Sequence, residues 1–167
     1  MTIRNDRLRV PLSSQWIDAD DEQAVLNVLR ADRLSLGPRV SEFEHELAHA
    51  AGTAHGVAVN SGTSALHLIV RALGLREGDE VITTPFSFIA SSNCLLYERA
   101  RPVFVDIRAD TYNIDVNRIE AALTSRTRGI LVVDAFGHPA ELDAIERIAR
   151  DNHLCLIEDS CEALGSA

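Results

Sequence analysis

Five apolar runs begin near Val57, Val81, Val103, Ile130 and Leu154, at intervals of 24, 22, 27 and 24 residues. Helical patterns fill the gaps, at Ser64–Leu73, Ser87–Tyr97, Asp115–Leu123 and Glu141–Arg150. A strand followed by a helix at this pitch returns the chain to the same edge of a sheet, so neighbouring strands are parallel and joined by crossovers. Val103-Phe104-Val105, Ile130-Leu131-Val132-Val133 and Leu154-Cys155-Leu156-Ile157 are apolar without alternation, which fits strands covered on both faces. The expected fold is therefore α/β, a three-layer and mostly parallel sheet with helices on both faces.

Upstream of this rhythm, Pro11–Trp16 reads as an extended entry. Asp18, Asp20, Asp21 and Glu22 load the start of a first helix, with Ala24, Val25, Val28 and Leu29 as its apolar stripe and Arg30 near its end. Leu36-Gly37-Pro38 breaks the chain, Pro38 opens a second helix, and Gly52 stops it.

Ligands of parallel sheets bind beyond the carboxyl ends of the strands. Those ends carry Asn60-Ser61-Gly62-Thr63, Thr83-Thr84-Pro85-Phe86, Asp106, Asp134 and Glu158-Asp159. The first is the most informative. Strand, tight turn and helix N-terminus follow in immediate succession, which offers free N–H groups and the positive end of a helix dipole to an anion. Gly62 allows close approach, and Thr63 and Ser64 add hydroxyls. By itself such a turn is equally well a helix cap.

The composition narrows the partners. A net charge of −9 argues against nucleic acid or an anionic membrane surface. No apolar run has the length of a membrane span, and the polar start lacks the apolar core of a signal peptide. Three cysteines, an odd and sparse set, fit a reducing cytoplasm. All 16 basic residues are arginines; the chain contains no lysine.

A competing motif runs through the second helix. His45-Glu46-Leu47-Ala48-His49-Ala50-Ala51-Gly52-Thr53-Ala54-His55 matches H-E-x-x-H-x-x-G-x-x-H and resembles the metzincin zinc proteases. At ~100° per residue, however, His45 and His49 fall opposite Phe43 and Leu47 and face solvent. The only methionine is Met1, so no Met-turn can follow. No metal site is expected.

Taken together, Leu36-Gly37-Pro38, Val59–His67, Gly78–Ile82, Phe86–Asn93, Pro102–Ile107, Thr111–Asp115, Gly137–Ala140 with Asp143, and Ile157–Gly165 resemble the DegT/DnrJ/EryC1/StrS sugar aminotransferases, a branch of the fold-type I pyridoxal-phosphate enzymes. The similarity runs from about Pro11 to the last residue. It implies an N-terminal segment and helix over 1–35 and part of a transferase large domain over 36–167. It also implies pyridoxal 5′-phosphate as cofactor, with Gly62, Thr63 and Ser64 at its phosphate and Phe88 against its ring. Asp159 would pair with its pyridine nitrogen, and Glu162 would stand near its ring hydroxyl, where relatives often carry Gln or His. The implied activity moves an amino group, from a donor such as glutamate, to the keto group of a nucleotide-linked sugar, in a cytoplasmic homodimer with shared active sites. These enzymes hold the cofactor as a Schiff base on a lysine beyond the Asp159 motif. Without any lysine, this chain alone is expected to be an inactive portion, or a remnant that binds cofactor or phosphate without chemistry.

Overall fold

The computed structural model describes residues 14–166. The first half of the expected Pro11–Trp16 entry, and the start of the chain before it, lie outside that range. The chain divides into two compact units, one extending to Gly56 and the other beginning at Val57.

The first unit holds α1 (Ala19–Leu29) and α2 (Pro38–Ala50). Asp18 caps α1 by accepting from the N–H groups of Asp20 and Asp21, at 2.9 and 3.2 Å. Asp21 returns the bond to the Asp18 N–H at 3.0 Å, which completes a capping box with Asp in the usual Glu position. The apolar stripe of α1 is present, but none of its residues is buried. Pro38 takes the first position of α2, where its missing N–H costs no bond. At the other end Gly52 adopts φ +66°; Thr53 N–H reaches Ala48 O and Gly52 N–H reaches His49 O, the paired bonds of a Schellman stop.

The second unit contains α3 (Gly62–Ala72), β1 (Glu80–Thr83), α4 (Ala90–Tyr97), β2 (Arg101–Phe104), β3 (Thr127–Val133), α5 (Leu142–Asp151) and β4 (Cys155–Asp159). The four strands are parallel in the order β2-β1-β3-β4. Pro102 is tolerated because β2 is an edge strand. Alternate residues of β1, β3 and β4 feed two cores. Val81, Leu131 and Ile157 pack with Leu66 and Val70 of α3 and Cys94 and Leu95 of α4. Ile82, Ile130 and Val132 pack on the other face with Ile114, Ile119, and Ile145 and Ala149 of α5. This is the expected three-layer arrangement.

Two expectations need correction. The apolar run at Val57 forms no strand and joins none of the four. Val57 is 75% exposed, and a β-branched run becomes a strand only when a sheet edge takes it up. Asp115–Leu123 is not an α-helix but two 3-10 turns, Val116–Arg118 and Glu120–Ala122. The looser 3-10 rise of ~2.0 Å per residue stretches this short segment so that both Ile114 and Ile119 reach the core.

The strand order places a topological switch between β1 and β3. The connection out of β1 runs through α4 on one face, whereas the connection out of β3 runs through α5 on the other. A crevice opens where such crossovers diverge. At the opposite end of the sheet Glu80, 2% exposed, anchors the start of β1. It accepts from Thr124 Oγ1 at 2.5 Å and from Arg126 Nη2 and Nε at 2.6 and 3.1 Å. Arg101 adds a 3.4 Å contact. The Thr124 hydroxyl, then the Arg126 guanidinium, hold the Glu80 carboxyl below its ordinary 4.5. A depressed carboxylate stabilises the fold above that value and loses its contribution as pH falls through the folded-state value.

Candidate functional site

The crevice at the switch point continues into a cavity of about 590 Å³. Gly62 and Thr63 enter it from the start of α3, and Pro85, Phe86, Ser87 and Phe88 from the loop after β1. Val133–Phe136 at the end of β3 and beyond it, Asp159 at the end of β4, Cys161 and Glu162 just past it, and Leu66 of α3 and Ala90 of α4 also line it. Five of the six residues singled out in the sequence, Gly62, Thr63, Phe88, Asp159 and Glu162, thus share one cavity. Ser64 does not line it. Its N–H is bonded to Ser61 Oγ at 3.2 Å, and its hydroxyl receives the Ser61 hydroxyl at 3.1 Å, so Ser61 acts as helix cap. Asp106 lies elsewhere, bonded to the Ile107 N–H and near Arg118.

The cavity wall presents both signs of charge. The N–H groups of Gly62 and Thr63 occupy the first two helical positions, which have no intrahelical acceptor, at the positive end of the α3 dipole. A Cβ on Gly62 would lie 2.9 Å from Cys161 Sγ, so the absent side chain keeps that corner open. Its hydrogen bond to Asp159, with burial, pushes the Cys161 thiol up to about 11, so no thiolate stands beside an incoming anion. On the other side of Cys161 in sequence stands the Asp159 carboxylate, only 8% exposed. Its Oδ2 accepts from Ser91 Oγ at 2.8 Å, and its Oδ1 lies 3.4 Å from the Cys161 N–H.

Glu162 is already engaged. Its Oε2 accepts from the Phe136 N–H at 3.1 Å. Phe136 has φ +56°, a left-handed conformation that bulky residues rarely adopt. Asn113, 3% exposed, secures the same loop by accepting from the Ala135 N–H at 2.9 Å and donating to His138 O at 2.8 Å. Phe136 thereby joins Phe86 and Tyr112 in a ring cluster, with centroid separations of 5.6 to 6.0 Å. None of these contacts was visible in the sequence, because each spans 22 or more residues between loops. Ser91 could have been suspected as the polar residue on the helix face that buries Ala90, Cys94 and Leu95.

A carboxylate pair lies beside the cavity. Ser160 Oγ is bonded to Asp134 Oδ2 and, at 2.7 Å, to Glu158 Oε1, yet one hydroxyl has one proton to give. Loss of water around the carboxyl raises Glu158 above its ordinary 4.5; Ser160 opposes this, while Asp134 adds to it. A raised acid favours the folded state below 4.5 and loses that contribution as pH climbs through the folded-state value. Glu158→Gln is therefore expected to raise the melting temperature at pH 7 and to leave it nearly unchanged at pH 4. Melts followed by circular dichroism at the two values check this; an equal effect at both would refute it.

The metal motif does not converge. His45, Glu46, His49 and His55 are exposed, and among the described residues no group of three His, Cys, Asp or Glu side chains is placed to hold a metal ion.

Residues 15–167 match the model of the DegT/DnrJ/EryC1/StrS aminotransferase family. The chain belongs to that family. It is 37% identical over 163 residues to GDP-perosamine synthase of Caulobacter vibrioides, a match covering 97% of this chain and 44% of the relative. It is also 37% identical over 162 residues to UDP-2-acetamido-2-deoxy-3-oxo-D-glucuronate aminotransferase of Pseudomonas aeruginosa, covering 92% of this chain and 45% of that protein. Among solved structures, NtdA of Bacillus subtilis with bound cofactor PMP superposes with a TM-score of 0.83 at 36% identity, over 89% of this chain and 35% of that one. The aminotransferase from Psychrobacter cryohalolentis gives 0.85 at 36% identity, over 91% and 40%. This member of the DegT/DnrJ/EryC1/StrS family thus spans about two fifths of the length of the curated relatives it matches. No helix among its described residues is long and apolar enough to cross a membrane.

Proposed function

We propose that this chain supplies the phosphate and ring-nitrogen walls of a pyridoxal-phosphate site in a sugar aminotransferase. The observation that carries the reading is the cavity itself, lined both by N–H groups at a helix N-terminus that have no intrahelical acceptor and by a buried carboxylate. The residues fit the cofactor. Gly62 and Thr63 N–H groups and the Thr63 hydroxyl would donate to phosphate oxygens. The corner that a Cβ at 62 would fill leaves space for that phosphate. Phe88, 75% exposed, offers a ring face to the cofactor plane. Asp159 would keep a proton on the pyridine nitrogen, since a nearby carboxylate favours the charged form of a base. Glu162, near the ring hydroxyl in this reading, also holds the Phe136 loop in place.

When bound, the cofactor supplies an electron sink for the carbanion formed at the substrate carbon. With no lysine in the chain, its own residues bind and orient but offer no amine to carry protons. The intact enzyme is proposed to transfer an amino group, from glutamate, to the keto group of a nucleotide-linked sugar. It would act as a cytoplasmic homodimer with shared sites; the free thiols of Cys94, Cys155 and Cys161 agree with a reducing compartment.

Pyridoxamine 5′-phosphate (PMP) tests the reading, because it needs no lysine. Calorimetric titration of the chain is expected to show one-to-one saturable binding, competed by inorganic phosphate and independent of zinc. A folded chain that takes up no PMP would overturn the proposal.

A further inference from the structure

Among the described residues no basic side chain is bonded to Asp159; its Oδ2 is held by a hydroxyl. Ser91, 1% exposed, stands in the first turn of α4 with Oγ 2.8 Å from Asp159 Oδ2. Behind it, Ser87 Oγ lies 2.7 Å from Ser91 Oγ, and Ser87 lines the cavity. Proton counting fixes the direction of this chain. A carboxylate has nothing to donate, so the Ser91 proton points to Asp159. Ser91 then offers only a lone pair to Ser87, and the Ser87 hydroxyl must donate to it. The order is Ser87 to Ser91 to Asp159, a run in which each bond polarises the next. Oδ1, which the Cys161 N–H approaches only to 3.4 Å, is the oxygen with the weaker backbone contact and the one open to a further donor.

We infer that Ser91 is the positioning residue of Asp159, with Ser87 as its outer support: the Ser91 hydroxyl, held by Ser87, occupies Oδ2 and leaves Oδ1 to the cofactor nitrogen. This rests on the cofactor reading above. The geometry explains why a polar residue is kept in a helix face otherwise buried as Ala90, Cys94 and Leu95. An alanine at 91 would leave Asp159 buried without its shortest bond and free to rotate.

The test uses the full chain and PMP labelled with 15N in the ring, read by calorimetry and by the ring-nitrogen chemical shift. Ser91→Ala is expected to weaken PMP about tenfold, the size of one lost charge-assisted hydrogen bond. The ring-nitrogen signal should move toward the unprotonated position. Ser91→Thr, which keeps the hydroxyl, should restore both. Ser87→Ala, outside the helix, should cost about threefold and shift the signal in the same direction; it decides the matter if Ser91→Ala does not fold. Wild-type affinity and shift in both alanine variants would overturn the inference while leaving the cofactor reading intact. So would a loss of affinity with an unmoved ring-nitrogen signal, which marks a merely structural role. A wild-type chain that binds no PMP would overturn both.

Discussion

Asp159→Asn is expected to weaken PMP binding about a hundredfold without lowering the melting temperature. The substitution preserves shape and one acceptor, so the amide oxygen can still take the Ser91 hydroxyl. What it removes is the charge that holds a proton on the pyridine nitrogen. For a carboxylate this buried, truncating one partner of a charge-assisted bond costs about 3 kcal/mol, which is about two decades of affinity. The fold should tolerate the exchange, since Asp159 ends β4 and contributes no apolar side chain to either core. Calorimetry on the wild type and on the Asn and Ala variants measures the effect. Affinity unchanged in both variants would detach Asp159 from the cofactor and leave only the helix N-terminus as a site.

The largest expected loss of stability is at Gly129. This residue sits in β3 directly between Val81 of β1 and Cys155 of β4. A Cβ there would lie 2.5 Å from Cys155 Sγ and 3.2 Å from the Cys155 carbonyl oxygen, closer than side-chain atoms pack. Gly129→Val should cost about 3 kcal/mol, the upper end for overpacking a close-packed interior. Because the nearest obstacle is a side chain, Gly129→Ala combined with Cys155→Ala should recover most of what Gly129→Ala alone loses. Urea melts of the four proteins of this cycle measure the coupling. Additive losses would show that the strand backbones, not the thiol, enforce the glycine.

The α/β rhythm was legible because parallel strands covered on both faces leave dense apolar runs at a regular pitch, and four of the five became strands. Val57 misled because its run has strand chemistry but finds no place in the ladder. Asp115–Leu123 misled because an apolar spacing of three and four fits both a helix and a pair of 3-10 turns pinned at Ile114 and Ile119. At the site, Asp159 stood out because strand ends in parallel sheets are chemically exposed by topology, and Gly62 because Ser-Gly-Thr ahead of an apolar helical pattern marks a helix N-terminus whether or not a strand precedes it. Ser91, Phe136 and Asn113 did not, since their roles depend on loops brought together across the switch between β1 and β3. Glu162 was singled out for the cofactor alone; its bond to the Phe136 N–H could not be read from residues 26 positions apart.

The clasp around Glu80 has a consequence at the far end of the molecule. β1 and β3 pair with an irregularity at their start, Glu80 opposite Thr127 but Val81 opposite Gly129. Nothing in the apolar run Ile130–Val133 would distinguish that alignment from one displaced by a single residue, yet such a slip would exchange the two faces of β3. It would also carry Arg126 roughly 3.3 Å from its carboxylate partner. Glu80 and Arg126 therefore work as an index mark for the sheet. By fixing where β3 starts, they decide which way Asp134 and the Phe136 loop project, and a mouth shaped by loops inherits its precision from ions at the base.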